Sequence, residues 1–246
     1  VYSYIDPCFL KGNTAIIWDY YGNYPNTTCY FFDAKQGKLL EDKFLIDADV
    51  NIDHPLENDN GDLWIRFEDN TSHNTHVGKI DVTNKNYKEF LEFKGYGTDT
   101  ILGEKKGSLY MSGVISKKNN LFSLFKYNLQ TGELLVRKDI SISDIDRGFF
   151  SNAYFYKEQF YVICFAMSSI TNYYCVYVYQ INTDTLEVER ISDRIDIWAT
   201  ENKWLRGSRI YFMYGNDSYT YFDLDTWEKA PYTYVMDYST MTINPK

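Results

Sequence analysis

The sequence is poor in the residues that usually announce chemistry. Among 246 residues there are three histidines and four cysteines. The cysteines, Cys8, Cys29, Cys164 and Cys175, contain no Cys-x-x-Cys pair, so no zinc-ligand series can be assembled from them. There is no nucleophile elbow, no Walker loop and no His-Glu-x-x-His stretch. Positive charge is also short: 25 basic against 34 acidic residues leave a net charge of −9. Such a surface repels phosphate backbones and anionic lipid, which argues against nucleic acid and membrane-surface partners. No apolar run approaches the roughly 18 to 20 residues needed to span a bilayer, so no membrane insertion is expected. No leader pattern is visible either. With Val1 as the first residue this says little about compartment, and an extracytoplasmic or cell-envelope location remains the expectation.

What is abundant is aromatic. Tyrosine (24) and phenylalanine (16) dominate, while Ala and Leu are not prominent. Flat rings and β-branched side chains pack well on pleated surfaces, so strands are favoured over helices. The cysteines read as small buried hydrophobes. Cys164 and Cys175 flank a hairpin loop, where a disulfide is the alternative, although a bridge between directly opposed strand positions is geometrically demanding.

The chain repeats. "FKYNLQTGELLV" from 125 has relatives in "YFFDAKQGKLL" from 30, "GKIDVTNKNYKEF" from 78, "YVYQINTDTLEV" from 177 and "YTYFDLDTWEK" from 219. Aligning the polar residue before each turn gives the anchors Asp33, Asp81, Asn128, Gln180 and Asp223, separated by 48, 47, 52 and 43 residues. A second series runs between them: "LKGNTAIIW", "NDNGDLWIRF", "EKKGSLYMSG", "FYKEQFYVICF" and "WLRGSRIYFMY". Its turn residues are Gly12, Gly61, Gly107, Glu158 and Gly207, spaced 49, 46, 51 and 49 residues apart. Gly fits a tight hairpin turn because positive φ costs it little. Glu158 breaks the series, so a different turn geometry is expected there.

Two interleaved hairpin series in step imply a unit of four antiparallel strands in about 48 residues, the period of a propeller blade. "YYCVYVYQI" and "FYVICFAM" are apolar on both alternations, as when blades stack face against face. The expectation is all-β, a five-bladed β-propeller of four-stranded antiparallel blades forming one domain over 1–246. The blades run roughly 1–46, 47–94, 95–141, 142–192 and 193–246. The tail "MDYSTMTINPK" is left over, and a terminal strand added to a neighbouring blade would close the ring. The polar-apolar-polar-Thr-Gly turn of "NLQTGE" resembles that of propeller repeats in the broad quinoprotein and YVTN class, a resemblance that covers every unit at superfamily depth. The residues that contact quinone in quinoproteins have no counterpart here, so no cofactor is expected.

In a propeller the inner strands start at one face, the usual place for a site. Their starts supply Asp6, Asp53 with His54, Asp99, Phe150 and Trp198, and the neighbouring loop adds Tyr21. Acidic groups near an axis suit a cation or an acid–base pair; otherwise Asp at a strand start bonds the adjacent loop backbone. Rings at the same rim suit stacking on sugars or anchoring a partner. His54, His73 and His76 gather at one end of the second unit and are weak candidates for a metal, against the plainer reading of solvated loop histidines.

"YIDPCFLKGNTAIIW" and "NIDHPLENDNGDLWIRF" are similar to the Asp-Pro inner-strand motifs of five-bladed glycoside hydrolases. That resemblance implies Asp6 as the base and Asp53 or Asp99 as the second Asp of the site, beside a Glu acid. No Glu in a matching Glu-Gly-Pro context stands in the third or fourth unit to serve as proton donor. The expectation is therefore a monomeric, non-catalytic recognition module that engages a protein or glycan through the top face, rather than an enzyme. A glycoside hydrolase-like propeller and a bacterial immunity or inhibitor protein are the alternatives.

Overall fold

The computed structural model describes residues 5–11, 13–23, 26–46, 53–57, 63–69, 72–94, 100–116, 121–141, 148–167, 174–197, 203–215, 218–230, 234–237 and 242–245. All regular structure among them is antiparallel β. The first sheet takes β1 (Ile5–Lys11), β2 (Thr14–Asn23), β3 (Asn26–Asp33) and β4 (Lys38–Ile46) in chain order. The second repeats that order with β5 (Asp53–Glu57), β6 (Leu63–Glu68), β7 (Thr75–Asp81) and β8 (Asn86–Phe93). So does the third, with β9 (Thr100–Lys105), β10 (Ser108–Ser116), β11 (Leu121–Asn128) and β12 (Leu134–Ser141). The fourth holds β13 (Gly148–Tyr156), β14 (Gln159–Met167), β15 (Tyr174–Ile181), β16 (Val188–Arg190) and β17 (Ile195–Ile197). The fifth holds β18 (Lys203–Arg206), β19 (Arg209–Gly215), β20 (Ser218–Asp223), β21 (Glu228–Lys229), β22 (Tyr234–Asp237) and β23 (Thr242–Pro245). Two compact units emerge: Val1–Gly113 with Lys126–Leu135, and Val114–Phe125 with Val136–Lys246.

Four of the five outer turns share one mechanism. An Asp or Asn side-chain oxygen accepts backbone N–H groups two and three residues on, which holds the turn without any outside partner. Asp33 accepts from Lys35 and Gln36, both at 2.9 Å. Asp81 accepts from Thr83 and Asn84, again at 2.9 Å, and Asn128 from Gln130 and Thr131 at 2.8 and 3.2 Å. In the fourth sheet the anchor is Asn182, bonded to Asp184 and Thr185 at 2.9 and 3.0 Å, and not Gln180. The longer Gln arm does not fold back onto its own backbone; Gln180 bonds Gln159 instead. Four residues past each anchor the backbone turns left-handed, at Gly37, Lys85, Gly132, Leu186 and Trp227.

The inner turn of the fourth sheet corrects a second expectation. Lys157 and Glu158 have φ of 46° and 65°, against 47° and 73° at Lys106 and Gly107. Glu158 thus keeps the two-positive-φ turn of its glycine counterpart, because that turn matches the twist of the flanking strands.

The tail corrects a third. β23 pairs β22, and β22 pairs β20, so among the described residues the last strand joins its own sheet and no neighbouring one. β21 covers only Phe222 and Asp223, which leaves the β20 edge open at Ser218 and Tyr219, where β22 pairs. The fourth sheet shows the same break: β16 pairs Tyr179–Ile181 and β17 pairs Tyr174–Val176. Between them the Val178 amide donates to Ser192 Oγ at 2.8 Å and its carbonyl accepts from the Ile191 amide at 3.0 Å.

Burial follows the patterning. Every residue from Phe160 to Ala166 of β14 is buried, as a strand covered on both faces requires. In the first unit Ile16, Phe31, Leu63, Ile65 and Ile80 share one core. In the second, Ile163, Phe165, Val176 and Val178 pack with Ile210, Phe212 and Phe222.

Candidate functional site

Of the residues nominated from sequence for the top face, Phe150 is the one whose side chain is described. Phe150 is 2% exposed and lies between Phe122 (centroids 5.0 Å apart) and Tyr179 (6.1 Å). Its ring is inter-strand packing, with no free face for a partner. Asp6, Asp53, His54 and Tyr21 fall in β1, β5, β5 and β2, and their side chains lie outside the described residues. Asp99 and Trp198 lie outside them altogether. Cys29, Cys164 and Cys175 are buried and form no disulfide among the described residues. Burial is the largest influence on Cys175 and raises its thiol pKa, so this is an inert packing cysteine.

His73 and His76 have separate local tasks. His73 occupies the left-handed position of an Asp69-anchored turn, with φ of 56° and its amide donating to the Asp69 carbonyl at 2.6 Å. His76, on β7, places Nδ1 2.7 Å from Glu89 Oε2 and stacks on Phe67 with centroids 5.0 Å apart. Among the described residues no group of three or more His, Cys, Asp or Glu is arranged to hold a metal ion. Tyr87, beside this pair, has its phenol pushed above the ordinary value by burial and then by the Glu89 charge. A neighbouring cluster joins the second and third sheets: Glu104 Oε2 accepts from Trp64 Nε1 at 2.7 Å and from Lys79 Nζ at 2.8 Å. Lys79 also sits 4.8 Å from the Trp64 ring centroid. With Trp64 only 1% exposed, this is a structural clasp.

One opening in the second unit, among the described residues, is a groove of about 650 Å³, within the size range of small-molecule sites. Residues 138–141 of β12 line one side; Gln159, Gln180, Asn182 and residues 187–189 line the other. Gln180 Nε2 donates to Gln159 Oε1 at 2.6 Å. Lys138 Nζ reaches Glu187 Oε1 at 3.5 Å. Asp139 accepts from Ser123 Oγ at 2.5 Å and Arg137 Nε at 3.2 Å, and these hydrogen bonds hold its carboxyl below the usual range. The sequence reading missed this groove because it placed function at the opposite end from the hairpin turns. The signal that was present is Glu187-x-Glu189 beside two glutamines on adjacent strands.

No protein-family profile and no curated protein matches the chain by sequence. Solved structures do match it by fold. The β-propeller domain of the trilobed protease from Pyrococcus furiosus, described as having an open velcro topology, aligns with a TM-score of 0.51 at 11% identity, over 99% of this chain and 82% of that one. The acylaminoacyl peptidase of Pyrococcus horikoshii aligns at TM-score 0.51 and 12% identity over 99% of this chain, which spans only 39% of the peptidase. A protein from Bacteroides uniformis assigned as a 6-phosphogluconolactonase gives 0.54 and 12%, over 98% of this chain and 69% of that one. The fold class is therefore an all-β propeller. These matches also correct the functional expectation of a non-catalytic recognition module, and with it the immunity-protein alternative. The similar propellers belong to two peptidases and a lactonase.

Proposed function

We propose that this chain is an enzyme-associated β-propeller, the propeller part of a hydrolase, with five blades in one domain over 1–246. The observation that carries the reading is similarity over 98% or more of the chain to propellers of peptidases and of a lactonase. Five antiparallel sheets, each drawn from one continuous stretch of chain, support the blade count. Open velcro closure, as described for the trilobed protease domain, accords with a C-terminal strand that stays in its own sheet. The peptidase form, in which the propeller is one part of a longer enzyme, is favoured over a self-contained catalyst, because this chain spans only 39% of the Pyrococcus horikoshii peptidase.

The test follows the native protein in cell extract by antibody, together with a fluorophosphonate hydrolase probe and assays on peptide anilides and aliphatic lactones. The expected result is a probe-labelled species that either contains this chain in a band above 29.0 kDa or co-elutes with it. A free 29.0-kDa protein with no labelled companion and no turnover of either substrate class would sink the reading.

A further inference from the structure

The groove between β12 and β16 carries a specific pattern of unspent hydrogen-bonding capacity. Gln180 and Gln159 are bonded to each other. That bond leaves the Gln159 N–H donors and the Gln180 carbonyl, both on residues that line the groove, with no partner among the described residues. A peptide unit presents the complementary pair, one acceptor and one donor. Directly across the sheet from Gln180 stands Glu189, an exposed carboxylate with no ion pair among the described residues. Glu187, two residues before it, has only the 3.5 Å contact with Lys138. Asp139 adds no free charge, since Arg137 and Ser123 already hold it. One lysine thus faces two weakly committed glutamates, with Ile140 and Val188 as the apolar lining.

We propose that this groove binds an extended peptide segment bearing a lysine or arginine. The peptide amide docks on the Gln159–Gln180 pair and the cation on Glu189, with Glu187 as second acceptor. An edge strand beside the groove suits an extended ligand, because among the described residues β12 pairs on one side only, with β11. The acidic wall sets the sign of the side chain accepted. The site stands independently of the enzyme association proposed above. Loss of hydrolase association would leave it intact, and failure of peptide binding would leave that association untouched.

The experiment is fluorescence anisotropy at low salt with a labelled, terminally blocked Gly-Ser-Lys-Ser-Gly peptide, its Glu counterpart, and spermidine as a cation without amides. The Lys peptide is expected to bind and the Glu peptide to bind at least tenfold more weakly. Glu189→Gln should weaken the Lys peptide about threefold, as for an exposed ion pair. The double variant Gln159→Ala/Gln180→Ala should weaken both peptides about threefold to tenfold through the lost hydrogen bonds. Circular dichroism melts confirm that each variant is folded; all three side chains lie at the groove surface, so their melts should match the parent. No binding at millimolar peptide, equal binding of the Lys and Glu peptides, indifference to Glu189→Gln, or spermidine competing as well as the peptide would each overturn the proposal.

Discussion

Gly78 lies on β7 against the ring of Tyr87 on β8, and the two strands pass too close for any side chain. A Cβ built there would sit 2.4 Å from Tyr87 Cε2, 2.5 Å from Tyr87 Oη and 2.6 Å from the Lys88 carbonyl oxygen. The Tyr87 ring is itself confined, packed at 5.8 Å from Phe67. The Lys88 carbonyl belongs to the strand and moves only if the ladder moves; the register already shifts between Val77 and Gly78. Gly78→Ala therefore overpacks the site, at a cost of about 2 kcal/mol. For a chain of this size that lowers the melting midpoint by roughly 4–8 °C. The assay is thermal unfolding followed by circular dichroism, with urea midpoints as the second measure. Two of the three clashes come from Tyr87, so the same substitution in a Tyr87→Ala background should cost at least about 1 kcal/mol less. A Gly78→Ala change smaller than about 0.5 kcal/mol, or an equal cost in both backgrounds, would refute the close-approach argument.

Four further outcomes are expected. Glu158→Gly should stabilise by about 0.5–1 kcal/mol, because the left-handed backbone at φ 65° is strained for Glu, while glycine's greater unfolded-state freedom offsets part of the gain; denaturant midpoints decide it. Asn182→Ala should cost about 1 kcal/mol through two lost turn hydrogen bonds, whereas Gln180→Ala should stay within about 0.5 kcal/mol, so equal effects would restore Gln180 as the anchor. At Asp223 burial raises the carboxyl pKa, but the Asp225 amide, Arg209 and Ser208 outweigh it and hold the net value low. Asp225 is held low by Lys157 and Tyr156. Both groups thus contribute stability that is complete above the unfolded carboxylate pKa of about 3.9 and lost as pH falls through the lower folded values; Asp223→Asn should flatten the acid limb of midpoint against pH. Burial raises the Tyr154 and Tyr179 phenols, so their stabilising effect is complete below about pH 10 and lost as pH rises through the folded values. Absorbance titration should show late tyrosines that ionise normally in denaturant.

The repeat was legible because its turns carry their own instructions: a short polar side chain bonding its own backbone must recur wherever the hairpin recurs. The slip at Gln180 shows the limit of that signal. Side chains alternate with period two, so "QIN" read from Gln180 or from Asn182 keeps every apolar residue on the same face. Only the reach of the anchoring side chain distinguishes the two registers. Glu158 failed as a reading for a related reason. Turn geometry is imposed by the twist of the strands it joins, and a non-glycine residue is held in place at some strain. The site was less legible still. Phe150 looked like a rim aromatic by position along its strand, but packing against Phe122 and Tyr179 took it inward. The groove draws on two sheets, and no local pattern announces which strands face each other.

Each described sheet is assembled from neighbouring hairpins of one unbroken stretch, and the last strand returns to its own sheet. Most strand pairings are therefore available as soon as the relevant segment leaves the ribosome, without waiting for the far end of the chain. The chain can fold in the order in which it is made. A lineage built this way can also gain or lose one unit by recombination without orphaning a strand elsewhere.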